Sequence, residues 1–204
     1  MFALVDKSDN SITRMLSGSQ GITLDGIQHP KAIFSLWTEA ERNAINIYTV
    51  EINNSKRKNT EWYVNTNVTY SFNGSKVTGS YGDATARAHA DTLFTAQDES
   101  DGKGTEGDVK DEGLKTKLIR SIKSQAEGEL NKTDWYITRK AEKDTAIPSA
   151  VSTHRNAVRS KQAEMETAIT NASDTPALET LYTYTTQEDG STTRPLGELP
   201  TKDF

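Results

Sequence analysis

Leu130-Asn-Lys-Thr-Asp134-Trp135-Tyr136-Ile137-Thr-Arg139 is the stretch on which the second half of this chain turns. It places an acid, two large aromatics and a fixed cation between two segments of helical periodicity. Upstream, Leu114, Leu118, Ile122, Ala126 and Leu130 recur every four residues, which is one helical face, and Ile137 extends the stripe. That spacing predicts a helix from Leu114 to about Glu142. Downstream, Pro148 suits the first turn of a second helix, where its missing N–H costs nothing. Val151, Val158 and Met165 recur every seven residues, with His154 and Ile169 on the same side. Arg155, Arg159, Lys161 and Glu166 are expected to be more exposed, and the helix to end near residues 171–174 ahead of Pro176. The two segments together predict an antiparallel helical hairpin over 113–173, with Trp135 as its largest anchor.

The charged and aromatic groups of the opening stretch have a physical logic of their own. Trp135 and Arg139 are four apart on a helix, so the guanidinium can lie over the indole face. Asp134 points another way and can pair with Arg155 or Arg159 on the returning helix. Two readings stay open: a stabilising brace inside the hairpin, or a partner-docking surface with Trp135 or Tyr136 as the anchor. The candidate binding residues are Trp135, Tyr136, Arg139, Arg155 and Arg159.

Outside the hairpin the chain is unusually polar. Of 204 residues 33% are hydrophobic, against about 45–50% in ordinary globular domains when glycine is counted in. Such a chain builds a compact core only in parts. The net charge of −5 sits in one place: residues 96–112 carry seven acids and two lysines, leaving 22 basic and 22 acidic residues elsewhere. This glycine-containing acidic run reads as a linker or long mobile loop between domains. A neutral remainder without a basic stripe argues against a nucleic-acid backbone as partner. Lys56-Arg57-Lys58 is the one basic triplet, and reads as a charged loop before a strand.

The first 95 residues read as a β-rich domain. Phe2-Ala-Leu-Val5 and Ser11 to Leu16 flank an Asp9-Asn10 turn, and Ile22-Thr-Leu24 precedes the turn at Asp25-Gly26. Thr38 and Glu41 have the spacing of a capping box at the start of a short helix. Ile47 to Ile52 is β-rich. From Trp62 to Phe72, apolar and polar residues alternate with period two, and Asn73-Gly74 offers the positive φ that a hairpin turn needs. Asp83 to Leu93 reads as a brief alanine-rich helix, and residues 174–204 as an irregular tail with one short helical turn near Pro176. The fold class predicted is α+β: a β-rich part with a hairpin (1–95), an acidic linker (96–112), the helical hairpin (113–173) and the tail (174–204).

Chemistry finds little to work with. The chain has no cysteine, which removes disulfides, thiolate metal sites and cysteine nucleophiles. His89-Ala-Asp91 offers two metal ligands, but no third follows at a helical or hairpin spacing. His154 falls on an apolar helix face with no carboxylate or nucleophile at a matching spacing, so it reads as a packing residue. The acidic run lacks the ligand order of a calcium loop, and Gly79-Ser-Tyr-Gly82 lacks the residues of a phosphate cradle. No metal, cofactor or catalytic residue is expected, and the chain is expected not to be an enzyme. It has no basic-then-apolar leader and no run of about 18 apolar residues, so the expectation is a soluble protein made in a cytoplasm, without a membrane partner.

Thr133-Asp134-Trp135 with Arg139, then Ile147-Pro148, then His154-Arg155-Asn-Ala-Val158-Arg159, resembles the C-terminal segment of tailed-bacteriophage tail-fibre assembly and tail-associated proteins. That family shows a Leu-X-X-Thr-Asp-Trp…Arg turn of helix, a Val/Ile-Pro break and a Tyr-Arg-X-X-Leu-Arg second helix. The chain departs from it at His154, where the family prefers Tyr, and at Val158, where it prefers Leu. Gly26-Ile-Gln-His-Pro30, Trp37, Glu41-Arg42 and Ile45 to Tyr48 are similar to the opening part of marine phage tail proteins. The resemblance implies a tail-fibre assembly factor acting by protein–protein binding in the host cytoplasm, with a permanent virion component of tail, fibre or baseplate as the alternative and a small tail-associated hydrolase behind both. It implies phage tail fibre or other tail proteins as partners, or self-association.

Overall fold

The computed structural model describes residues 1–201. The class is α+β, with strands gathered toward the N-terminus and long helices toward the C-terminus. The chain divides into two compact units, Met1–Thr85 and a second from Ala86 onward.

In the first unit, β1 (Phe2–Asp6) and β2 (Ser11–Leu16) form an antiparallel hairpin, followed by the small hairpin β3 (Ile22–Leu24) and β4 (Ile27–His29). Two short helices come next, α1 (Ile33–Leu36) and α2 (Glu39–Ala44). The predicted capping box starts α2: Thr38 Oγ1 accepts from the Glu41 N–H, and the Glu41 carboxylate accepts from the Thr38 N–H. β5 (Ile47–Asn53), β6 (Tyr63–Val64), β7 (Thr69–Phe72), β8 (Val77–Ser80) and β9 (Thr85–Ala86) complete the list. The main sheet runs β2-β1-β5-β8-β7, with β5 and β8 parallel and the other neighbours antiparallel.

The core lies on both faces of β1 and β5. Ala3, Val5 and Tyr48 pack with Phe72 and Val77 on one side. Ile47 packs with Ile22 and Ile33 on the other, with Phe2 and Leu4 against them. A strand covered on both faces reads as a continuous apolar run, as Phe2-Ala-Leu-Val5 does.

The Asn73-Gly74 hairpin forms as predicted, with Phe72 opposite Val77 and Gly74 at φ 92°. The Asn73 carboxamide accepts from the Ser75 and Lys76 N–H groups and holds the turn. The eleven-residue alternating strand before it does not. The Asn59 carbonyl accepts from both Trp62 and Tyr63 N–H, a turn that lets these consecutive aromatics both be buried. Only Thr69–Phe72 joins the main sheet.

Across the division, residues 83–93 form no helix but short extended pieces ending in β10 (Thr92–Leu93). The acidic stretch is folded. A capping box from Thr95 to Asp98 opens α3 (Ala96–Ser100), and β11 (Val109–Asp111) pairs back onto β10. The division between units therefore falls at 85/86, not in an acidic linker at 96–112.

The helices follow: α4 (Leu114–Asn131), α5 (Asp134–Lys143), α6 (Ser149–Asn171) and α7 (Thr175–Tyr182). Contacts at 115 with 170, 123 with 166 and 130 with 155 make α4 and α6 antiparallel. Ile122 and Ala126 of α4 are buried, as are Val151, His154, Val158, Met165 and Ile169 of α6, so both predicted faces are core faces. The tail, described to residue 201, carries regular elements. Asp174 caps α7 through the Ala177 N–H, Leu178 and Leu196 are buried, and β12 (Thr185–Thr186) pairs with β13 (Thr192–Thr193). Among the described residues no helix is long and apolar enough to cross a membrane.

Candidate docking site

The single helix predicted from Leu114 to about Glu142 is two helices, and the break makes the site. α4 stops at Asn131 and α5 starts at Asp134. Between them the side chain of Thr133 is fully buried, with its hydroxyl donating to the Leu130 carbonyl at 2.9 Å. Arg155 of α6 seals the junction. Its Nη1 lies 2.8 Å from the Leu130 carbonyl oxygen, 2.8 Å from Thr133 Oγ1 and 2.7 Å from Asp134 Oδ1. A cation at the last carbonyls of one helix, bonded also to an acid in the first turn of the next, is favourable at both ends. Arg155 is 8% exposed, so the expectation that it faces solvent is corrected. Asp134 chooses Arg155 over Arg159.

The break also takes Trp135 and Ile137 off the buried stripe. Trp135 is 51% exposed and Ile137 41%, and α5 buries none of its residues. Trp135 is thus not the anchor of the hairpin core. Its ring stacks on Tyr136, with centroids 3.8 Å apart. The Arg139 guanidinium sits 4.8 Å from the Trp135 centroid and 5.2 Å from that of Tyr136, the predicted cation–π contact with a second ring added. Arg159, one turn beyond Arg155, is exposed and lines a 660 Å³ groove with Leu130 and Ala163.

The five candidate residues therefore split. Trp135, Tyr136 and Arg139 form one stack, with Trp135 exposed and Tyr136 and Arg139 half-buried; Arg155 is a buried brace; Arg159 stands apart in the groove. Ring–ring and ring–cation contacts restrict the side-chain rotamers of the stack, which lowers the entropy a partner must remove on binding.

Asp91, weighed above only as a metal ligand beside His89, serves as a remote cap. It accepts from the Gly113 N–H at 2.7 Å and the Thr116 hydroxyl at 2.8 Å, at the start of α4. Those two bonds, the Gly113 one first, hold its carboxyl below the ordinary value. Gly113 is required there, since a Cβ would come within 2.3 Å of the Ala90 backbone. The signal was not in local spacing, because Asp91 and Gly113 meet only after β10 and β11 fold back. Among the described residues no three acids or histidines gather as a metal site. No protein-family model, curated protein or solved structure matches the chain.

Proposed function

We infer that this chain is a bacteriophage tail-associated protein that acts by protein–protein binding, not by chemistry, as a tail-fibre assembly factor. The observation that carries the binding part is the Trp135–Tyr136–Arg139 stack, displayed on a helix that buries none of its residues. Trp, Tyr and Arg are the residue types that dominate binding hot spots. The phage-tail part rests on the resemblance of Thr133-Asp134-Trp135…Arg139 and Arg155…Arg159 to tail-fibre assembly proteins.

Quantitative mass spectrometry of infected-cell lysate and of purified particles tests the reading. An assembly factor is abundant in lysate, bound to a tail protein, and absent from particles. Stoichiometric presence in the particle would replace it with a permanent tail, fibre or baseplate component. Absence of any tail protein from the complex would overturn both.

A further inference from the structure

The break between α4 and α5 is one residue wide. Lys132 keeps a helical backbone, at φ −58° and ψ −18°. Thr133 alone departs, at φ −123° and ψ 4°. A helical residue sits near φ −63° and ψ −42°, so about 60° in φ and 45° in ψ separate the bent junction from one unbroken helix. Neither conformation needs a positive φ, and both are open to threonine.

The bend is held at its inner side by Arg155. One nitrogen of its guanidinium reaches the Leu130 carbonyl, the Thr133 hydroxyl and the Asp134 carboxylate, which ties the first turn of α5 to α6. α5 buries none of its residues, so no buried side chain of its own resists a change of direction.

The apolar spacing favours the straight alternative. Ile122, Ala126 and Leu130 continue to Ile137, which stays 41% exposed in the bent form. In an unbroken helix Ile137 falls on the face turned to α6, about 10 Å beyond Leu130. Leu130 stands level with Arg155 in the antiparallel pair, and Ser149 lies about 9 Å further in the same direction. Ile137 then meets the first turn of α6 and leaves water. The connection is long enough. Straightened, Lys143 stands about 20 Å beyond Leu130, hence about 11 Å beyond Ser149, on a helix about 9 Å to the side. That gap of about 14 Å is within reach of the chain from Lys143 to Ser149, whose Cα steps extend up to about 3.5 Å each.

We propose that Thr133 is a hinge with two settings. In one, Arg155 latches the bend that the structure shows; in the other, Leu114 to Lys143 is a single helix and Ile137 is covered. The Trp135–Tyr136–Arg139 stack lies wholly within α5, so it travels intact and only its direction changes. A partner that meets the stack in one direction selects that setting. The hinge stands whether or not the stack docks a tail protein.

Because the chain has no native cysteine, Ser124→Cys on α4 and Lys143→Cys on α5 carry spin labels in the full chain, and double electron–electron resonance reads their separation. Unbroken helix between these positions sets their Cα atoms about 28 Å apart, and a bend shortens that. The expected result is a shorter main distance in the parent, a main peak near 28 Å in Arg155→Ala, and an intermediate share of that peak in Asp134→Ala. Asp134→Ala removes a half-exposed side chain and reports even if Arg155→Ala does not fold. In the same variants the Thr133 Cα chemical shift moves to its helical value. Folded variants that keep the parent distance, or that spread without a peak near 28 Å, would overturn the proposal.

Discussion

Arg139 and Arg155 belong to one short sequence pattern, yet the molecule uses them in opposite ways. Arg155 is 8% exposed and spends its charge inward, on the Leu130 carbonyl, the Thr133 hydroxyl and the Asp134 carboxylate. Arg139 lies over Trp135 and Tyr136 on the half-exposed surface of α5 and pairs with no carboxylate among the described residues. The difference teaches that the Thr-Asp-Trp…Arg pattern of this chain joins two jobs. Thr133, Asp134 and Arg155 fix where α5 leaves the hairpin. Trp135, Tyr136 and Arg139 are what that placement displays.

The largest expected effect follows from breaking the brace. Arg155→Ala leaves the buried Thr133 hydroxyl oxygen without its donor, while the Leu130 carbonyl keeps the Thr133 N–H and hydroxyl; removing one partner of a buried pair costs about 3–5 kcal/mol. Because the Asp134 side chain is half exposed and regains water, the discounted expectation is a loss of about 2–4 kcal/mol in urea unfolding. Arg155→Lys keeps one donor and should recover part of it. A variant as stable as the parent would show that the junction holds without its brace.

Trp135→Ala sharpens the other half of the comparison. Were the indole a core anchor, its loss would cost about 3–5 kcal/mol of stability. With Trp135 51% exposed, the expected change in unfolding free energy is below about 1 kcal/mol. Under the proposed function, binding to the partner should instead fall by about 2 kcal/mol, roughly thirtyfold. Melting and affinity measured on the same preparation separate the two outcomes, and a large drop in melting with intact binding would return Trp135 to the core. Arg139→Ala is the milder form: about 0.5–1 kcal/mol from a partly exposed cation–π contact, read as a small loss of affinity with little shift in the unfolding midpoint.

These contrasts also explain what could be read from the sequence. Local rules worked where local physics decides: the Thr38–Glu41 box, the Asn73-Gly74 turn, and the Ile122–Ala126 and Val151–Ile169 faces. The four-residue spacing carried the helix straight through to Ile137, because nothing nearby marks Thr133 as a stop. What stops it is Arg155, 22 residues further along the chain, closing on Leu130 and Thr133. Exposure of Trp135 is a consequence of that distant contact and was invisible for the same reason. The candidate residues were thus legible as a set, while their division into brace and stack was not. The acidic stretch went the other way: its composition spoke for a linker, although Thr95 and Asp98 have capping-box spacing that local reading could have caught.

Asp98 supplies the smallest test, since it braces with a charge that is not sealed in a core. Its carboxyl is held at about 2, against an ordinary 3.8, chiefly by the Thr95 N–H, then by the Lys110 ammonium and the Thr95 hydroxyl. A folded value below the unfolded one means that the unfolded segment takes up its proton first on acidification. The stabilisation is therefore fully present above about pH 4 and is lost progressively as pH falls toward about 2. Residues 95–112 should loosen in that window, followed by the amide shifts of Gly102 and Gly107, whose N–H groups donate to the Glu99 and Phe94 carbonyls. Asp98→Asn retains an acceptor for the Thr95 N–H but cannot titrate, and it gives up the charge on Lys110. The variant should start looser at neutral pH and change little on acidification. An equal acid response in parent and variant would assign the loosening to other carboxylates in the stretch, and would leave Arg155 as the second unit's better example of a charge that holds its fold.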